Sequence, residues 1–87
     1  MGRTVPSYRQ ALEAELQRWM KMARLLRPEH KAALEEIAEA ARSLAGAASY
    51  AANPSVADSA LLSALIKLQA EVDRLKREVE ELKRSQR

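Results

Sequence analysis

Few residues of the chain could carry out catalysis or bind a metal, and together they do not form any known catalytic or metal-binding arrangement. His30 is the only histidine of the 87-residue chain, and cysteine is absent, which excludes disulfides and thiolate ligands. Glu35, Glu36 and Glu39 lie close together, but di-metal helical bundles also need Glu-x-x-His pairs, and the chain has none. No serine has a neighbouring histidine to activate it as a nucleophile. We therefore predict no enzyme activity, no cofactor and no metal site.

Basic side chains in the first third of the chain suggest a different chemistry, the binding of phosphate groups. The net charge is +3, and residues 1–27 carry six basic but only two acidic side chains. Arg18, Lys21 and Arg24 are spaced three residues apart, and Arg3 and Arg9 extend this basic row towards the N-terminus. Such a row is able to contact nucleic-acid phosphates. It is equally typical of a solvated helix face, and no known nucleic-acid-binding motif accompanies it, so both interpretations stay open.

Three helices separated by prolines are predicted to position these residues. A capping-box pattern at Ser7 starts the first helix, at about 7–27, behind an N-terminal arm of residues 1–6. Pro28 suits the first position of a second helix, at about 28–52, and Asn53-Pro54 ends it. The third helix then spans about 55–85, so we predict an all-α fold in which residues 7–60 form a helical head.

The third helix has a heptad pattern of large apolar residues over about 61–85. Leucine recurs at one heptad position, d, and leucine or valine at the other, a, with alternating spacings of four and three. β-Branched residues at a with leucine at d favour a parallel two-stranded coiled coil. The predicted seam consists of Leu61, Leu65, Leu68, Val72, Leu75, Val79 and Leu82.

Charges beside the seam agree with the parallel arrangement. Glu71 and Glu78 occupy position g, and Lys76 and Lys83 occupy position e. In a parallel pair each g residue meets the e residue five further along the partner, which joins Glu71 to Lys76 and Glu78 to Lys83. An antiparallel homodimer would place like charges together. Intramolecular packing, an antiparallel bundle and a different protein partner remain as alternatives.

The composition explains why such a chain would need a partner. The hydrophobic fraction is 47%, but 17 of these residues are alanine, so the chain has little apolar volume for a core of its own. The stretch 61–66 is apolar around much of its circumference, which predicts additional packing outside the seam. We interpret the alanine-rich second helix as a buried middle element. We interpret Gly46 within it as a position of close packing, with a conformational kink as the alternative.

The first nine residues and the break before the third helix carry a resemblance. Met-Gly-Arg-Thr-x-Pro-Ser-Tyr-Arg together with Asn53-Pro54 resembles a group of short archaeal proteins of unknown function with the same three-helix layout. The matching positions are Gly2, Arg3, Thr4, Pro6, Ser7, Tyr8, Arg9, Asn53 and Pro54. The resemblance implies an archaeal, cytoplasmic setting and no particular activity.

These patterns lead to one expected function and one alternative. The expected function is that of a non-enzymatic interaction or adaptor protein, which forms a homodimer or a dimer of dimers through its C-terminal coiled coil. The alternative is a nucleic-acid-associated accessory protein whose phosphate contacts are Arg3, Arg9, Arg18, Lys21 and Arg24. No apolar run is long enough to span a membrane and no signal-peptide core is present, so the expected compartment is the cytoplasm.

Overall fold

The computed structural model describes residues 7–51 and 54–86, and this part of the chain is helical and contains no β-strand. The predicted arm 1–6, with Arg3, and the predicted break at Asn53 lie outside the described residues. The described residues form four α-helices rather than the three expected: α1 (Tyr8–Met20), α2 (Pro28–Ser43), α3 (Ala45–Ala51) and α4 (Val56–Ser85). A short 3₁₀ helix, Lys21–Leu25, follows α1 directly.

The first helix begins where it was predicted to begin, but the last residues of the predicted helix form the 3₁₀ helix instead. At the start, the Ser7 hydroxyl accepts a hydrogen bond from the Gln10 backbone N–H, and the Gln10 side chain accepts one from the Ser7 N–H, at 3.2 and 2.9 Å. At the other end, Pro28 disfavours helical backbone at Arg27, whose ψ is 156°. The chain therefore leaves the α conformation before Pro28, and the tighter 3₁₀ geometry makes the transition.

The second predicted helix is interrupted at Leu44, where the backbone has φ −108° and ψ 17°. The Ser43 hydroxyl donates a hydrogen bond of 2.7 Å to the Ala40 carbonyl oxygen. A serine that bonds back to the preceding turn in this way weakens and bends a helix. The single predicted element 28–52 is therefore replaced by α2 and α3.

Gly46 lies in the first turn of α3, and our interpretation of it as a close-packing position is wrong. The residue is exposed, and a Cβ atom built there would meet nothing within 4 Å. The glycine lowers helix propensity next to the interruption at Leu44 without providing a contact in return.

Replacing Gly46 with alanine is expected to stabilise the protein by about 0.5–1 kcal/mol, because alanine restricts the unfolded chain and favours helix. Urea denaturation followed by circular dichroism at fixed protein concentration measures the change. A matched control is Ala47→Gly, at the next exposed position of α3, which is expected to destabilise by a similar amount. A destabilised Gly46→Ala variant would show that the glycine has a conformational role.

The long C-terminal helix is confirmed and extends far beyond the rest of the molecule. The Ser55 hydroxyl caps it by accepting a hydrogen bond of 3.2 Å from the Asp58 N–H. Its 30 residues make a rod of about 45 Å. The radius of gyration is 17.0 Å, whereas a compact chain of this length has about 12 Å. None of the helices among the described residues is long and apolar enough to cross a membrane.

The core of the head is small and consists mostly of alanine. Among the described residues, only two large side chains, Leu12 and Leu16 of α1, are completely buried. Small residues at the contacts let the helix axes approach closely. The other buried core residues are Ala38, Ala41, Ala45 and Ala60, and Tyr8, Trp19 and Val56 pack against them at the edge.

One ion pair joins α1 to α2 at the surface of the head. Arg42 donates from Nε to Glu13 Oε2 at 2.6 Å and from its second terminal nitrogen to Glu13 Oε1 at 3.1 Å. This two-point contact holds the pKa of Glu13 below its ordinary value, chiefly through the hydrogen bond. Both side chains are partly exposed, so the pair adds a geometrically specific contact between α1 and α2 but little stability.

Candidate interaction surface

The first turns of α4 present two different faces. Ser59, Ala60, Ser63 and Ala64 are buried against the head. In the heptad numbering these residues occupy positions b, c, f and g, so the face that contacts the head lies opposite the a/d seam. The head is therefore attached through small side chains, and the seam is left uncovered along its whole length.

The exposure of the seam is large for side chains of this type. The exposed fractions are 37% for Val72 and between 48% and 60% for the other six residues, and from Leu65 to Gln86 no residue is buried. Scattered exposed apolar residues are normal, but a continuous stripe of them marks an interaction site. The seam residues that the structure places on this stripe are Leu61, Leu65, Leu68, Val72, Leu75, Val79 and Leu82.

A shallow, open hollow on the projecting part of α4 is lined by side chains from successive turns of that helix. It is lined by Val72, Leu75, Lys76 and Val79, with Glu80 at its rim. The first four are consecutive a, d, e and a positions. In a coiled coil each seam side chain of one helix inserts into a hole formed by four residues of the other helix. The isolated helix thus already presents a hole of suitable composition.

In the described part of the chain, some of the charged residues beside the seam form ion pairs and others do not. Arg74 forms ion pairs with both Glu71 and Glu78, and its hydrogen bond lowers the pKa of Glu71. In the described part of the chain, Lys76 and Lys83 form no ion pair. Sequence reasoning missed Arg74, although its spacings of three from Glu71 and four from Glu78 are those of helical ion pairs.

The basic row is exposed on α1 and on the 3₁₀ helix, except for Arg3, which lies outside the described residues. Arg18 is bound to Glu15, which also accepts a hydrogen bond of 3.0 Å from Trp19 Nε1. Lys21 and Arg24 form no ion pair among the described residues. Because side chains three residues apart align in a 3₁₀ helix, Lys21 and Arg24 leave this helix on the same side.

The candidate catalytic and metal-binding residues are dispersed on the surface. His30 and the glutamates of α2 are exposed, and Glu39 contributes a long contact of 3.3 Å to Arg42. No group of three or more His, Cys, Asp or Glu side chains with metal-binding geometry is found among residues 7–51 and 54–86.

The described residues form a small all-α protein with an alanine-packed head and a projecting amphipathic helix. The chain belongs to the family described as Domain of unknown function (DUF8156), whose model matches residues 1–87. Neither the curated proteins nor the solved structures contain a significant match to the chain. The archaeal resemblance of the opening residues stays a prediction.

Proposed function

We propose that this protein is a non-enzymatic interaction or adaptor protein that forms a parallel homodimer through the coiled-coil seam of α4. The observation that carries the proposal is the uninterrupted exposure of seven large apolar residues at heptad spacing. The function of the assembly is then to present two copies of the helical head at one end of a rigid rod. The cytoplasm is the compartment we propose, because a chain without cysteine needs no oxidising environment.

The exposed area of the single chain supports self-association. The accessible surface is 7110 Å², whereas a compact monomer of this mass exposes about 5,100 Å². The excess of about 2,000 Å² per chain is larger than the roughly 800 Å² that each partner buries in a stable protein–protein interface of standard size. The seam, which runs over most of α4, contributes the most apolar part of this excess surface area.

The charge pattern supports the parallel orientation. In that orientation the unpaired Lys76 and Lys83 meet Glu71 and Glu78 of the partner subunit. A carboxylate has room for several hydrogen bonds, so each glutamate is able to keep Arg74 and accept a lysine as well. An antiparallel pair would bring lysines towards lysines and glutamates towards glutamates, which disfavours it.

A cysteine at Leu82 tests self-association and orientation together. Because the native chain has no cysteine, Leu82→Cys introduces a single thiol near the end of the seam. In a parallel dimer the two d positions face each other, so mild oxidation is expected to give a disulfide-linked dimer in high yield. The control is Ala70→Cys at position f, on the outer face of the same helix, which is expected to stay unlinked.

The yield of the disulfide-linked dimer distinguishes a parallel from an antiparallel arrangement of the two chains. In an antiparallel pair Leu82 would face the beginning of the partner's seam, and no rapid disulfide would form. Equal and low yields from the two cysteine variants would therefore contradict the parallel dimer.

The second candidate function is that of a nucleic-acid-associated accessory protein. It is favoured by the alignment of Lys21 and Arg24 on the 3₁₀ helix and by their lack of carboxylate partners in the described part of the chain. Arg9 and Arg18 would add contacts on α1. A shift in the electrophoretic mobility of duplex DNA that weakens with added salt and with Lys21→Glu would support this alternative.

A further inference from the structure

The 3₁₀ helix between α1 and α2 has three different faces. Because a 3₁₀ helix has three residues per turn, side chains three residues apart leave it on the same side. Ala23, on the first face, is buried. Lys21 and Arg24 form a second, basic face, and Met22 and Leu25 form a third face that is exposed and apolar. This short helix therefore places an apolar pair directly beside a basic pair.

The apolar face is unusually exposed for its residue types. The exposed fraction is 89% for Leu25 and 53% for Met22. Both side chains belong to the head and lie outside the coiled-coil seam of α4, so the proposed dimer gives no reason for their exposure. Isolated exposed apolar residues are common on protein surfaces, so the significance of this pair depends on its surroundings.

The surroundings of the apolar pair are strongly basic. Arg27 and Lys31 follow on the next turns and are exposed. Residues 21–31 thus carry four basic side chains and a single acidic one, Glu29. Among the described residues these four cations form no ion pair, so carboxylates of the chain do not neutralise them. The surface around the apolar pair is therefore complementary to anionic groups.

We propose that this basic and apolar turn, residues 21–27, docks on an anionic lipid surface. Met22 and Leu25 insert between the lipid headgroups, and Lys21 and Arg24 contact the lipid phosphates. Segments that bind at membrane surfaces combine the same features, with apolar side chains on one side and lysine or arginine on another. Basic residues near an anionic membrane add electrostatic attraction, and the inserted side chains supply the second signal that stable anchoring requires.

Two observations favour lipid over a macromolecule of another class. Nucleic-acid phosphates would satisfy Lys21 and Arg24 but would leave Leu25 without an apolar environment. A protein interface of standard size buries about 800 Å² from each partner, whereas the apolar area of this turn ends after two side chains. A lipid headgroup layer accepts a small apolar insertion and attracts the surrounding cations, so it accounts for both exposed faces.

Sedimentation with lipid vesicles tests the docking of the full-length protein. Phosphatidylcholine vesicles with about one third phosphatidylglycerol are expected to bind the protein several-fold better than pure phosphatidylcholine vesicles, and added salt is expected to weaken the binding. Leu25→Ser and Arg24→Glu are each expected to weaken it about tenfold. The matched controls are Tyr50→Ser on α3 and Arg77→Glu on the outer face of α4. Both side chains are exposed, and these variants are expected to bind like the native protein.

A fluorescent probe reports whether the apolar face enters the lipid. Because the native chain has no cysteine, Leu25→Cys and Tyr50→Cys each accept a single environment-sensitive fluorophore. Binding to the anionic vesicles is expected to shift the emission of the probe at position 25 to shorter wavelength. The probe at position 50 is expected to keep its emission.

The inference is supported by binding to anionic vesicles that Leu25→Ser and Arg24→Glu both weaken, together with the emission shift at position 25. Binding that only Arg24→Glu weakens, without that shift, would overturn the insertion of the apolar face. Absence of binding to anionic vesicles would overturn the docking itself, and salt-sensitive binding of duplex DNA by the same chain would then favour the nucleic-acid alternative. These results do not depend on the dimer, which the Leu82→Cys disulfide tests separately.

Discussion

Replacing Leu75 with glutamate is expected to convert the proposed dimer into monomers at micromolar concentration. Leu75 is a d residue in the middle of the projecting seam and lines the hollow that we propose receives a side chain of the partner subunit. Each dimer loses the burial of two leucines, worth about 1.5–3 kcal/mol each, and would gain two carboxylates in an apolar seam. If the free energy of dimerisation becomes less favourable by about 4 kcal/mol in total, the dissociation constant of the dimer rises about a thousandfold.

The same substitution is expected to lower the helix content. In the described part of the chain, the last turns of α4 have no tertiary packing of their own, and short isolated helices are marginal in water. Loss of the partner therefore leaves the helix beyond Val72 supported mainly by the ion pairs of Arg74. Gel filtration with light scattering and far-ultraviolet circular dichroism measure the two effects.

The matched control for Leu75→Glu is Ala70→Glu, which adds the same charge to the exposed f position of the same helix. We expect this variant to keep the mass and the helicity of the native protein. If Leu75→Glu also leaves both unchanged, the seam is not an interface between chains.

Replacing Leu16 with alanine is expected to cost about 2–5 kcal/mol of unfolding free energy, a range typical of a completely buried leucine. Leu16 is 0% exposed and is one of only two large side chains at the centre of the head. Its neighbours in the core are mostly alanines, which have no flexible atoms to fill the cavity. The free energy of unfolding of a small domain is about 5–15 kcal/mol, so this one substitution removes a large part of the stability.

Urea denaturation at a fixed protein concentration measures this loss, because the proposed dimerisation would make the apparent stability depend on concentration. The control is Leu25→Ala on the 3₁₀ helix, where the side chain is 89% exposed and the expected change is within about 0.5 kcal/mol. Equal effects of the two substitutions would contradict the alanine-packed head described above.

Local chemical signals in the sequence were sufficient to predict the helix starts and the long C-terminal helix. Ser7 and Ser55 cap α1 and α4 as expected, because a side-chain cap depends on neighbouring residues alone. The break at Leu44 was missed because it depends on how one hydroxyl, that of Ser43, is used. A serine within a helical pattern gives no sign of whether it will bond back to the preceding turn.

The face by which α4 joins the head was also missed, for a related reason. Hydrophobic periodicity is detected from large side chains, and Ser59, Ala60, Ser63 and Ala64 are small or polar. They are buried because they permit close approach, a property of tertiary packing rather than of local sequence. The heptad stripe was predictable because it consists of the large residues that periodicity detects.

The most direct test of the central claim is the mass of the native full-length protein by sedimentation equilibrium over a range of micromolar concentrations. The parallel-dimer proposal predicts a mass of about twice the 9.7 kDa of one chain, or a multiple of that dimer at the highest concentrations. A mass of 9.7 kDa throughout the range would contradict it.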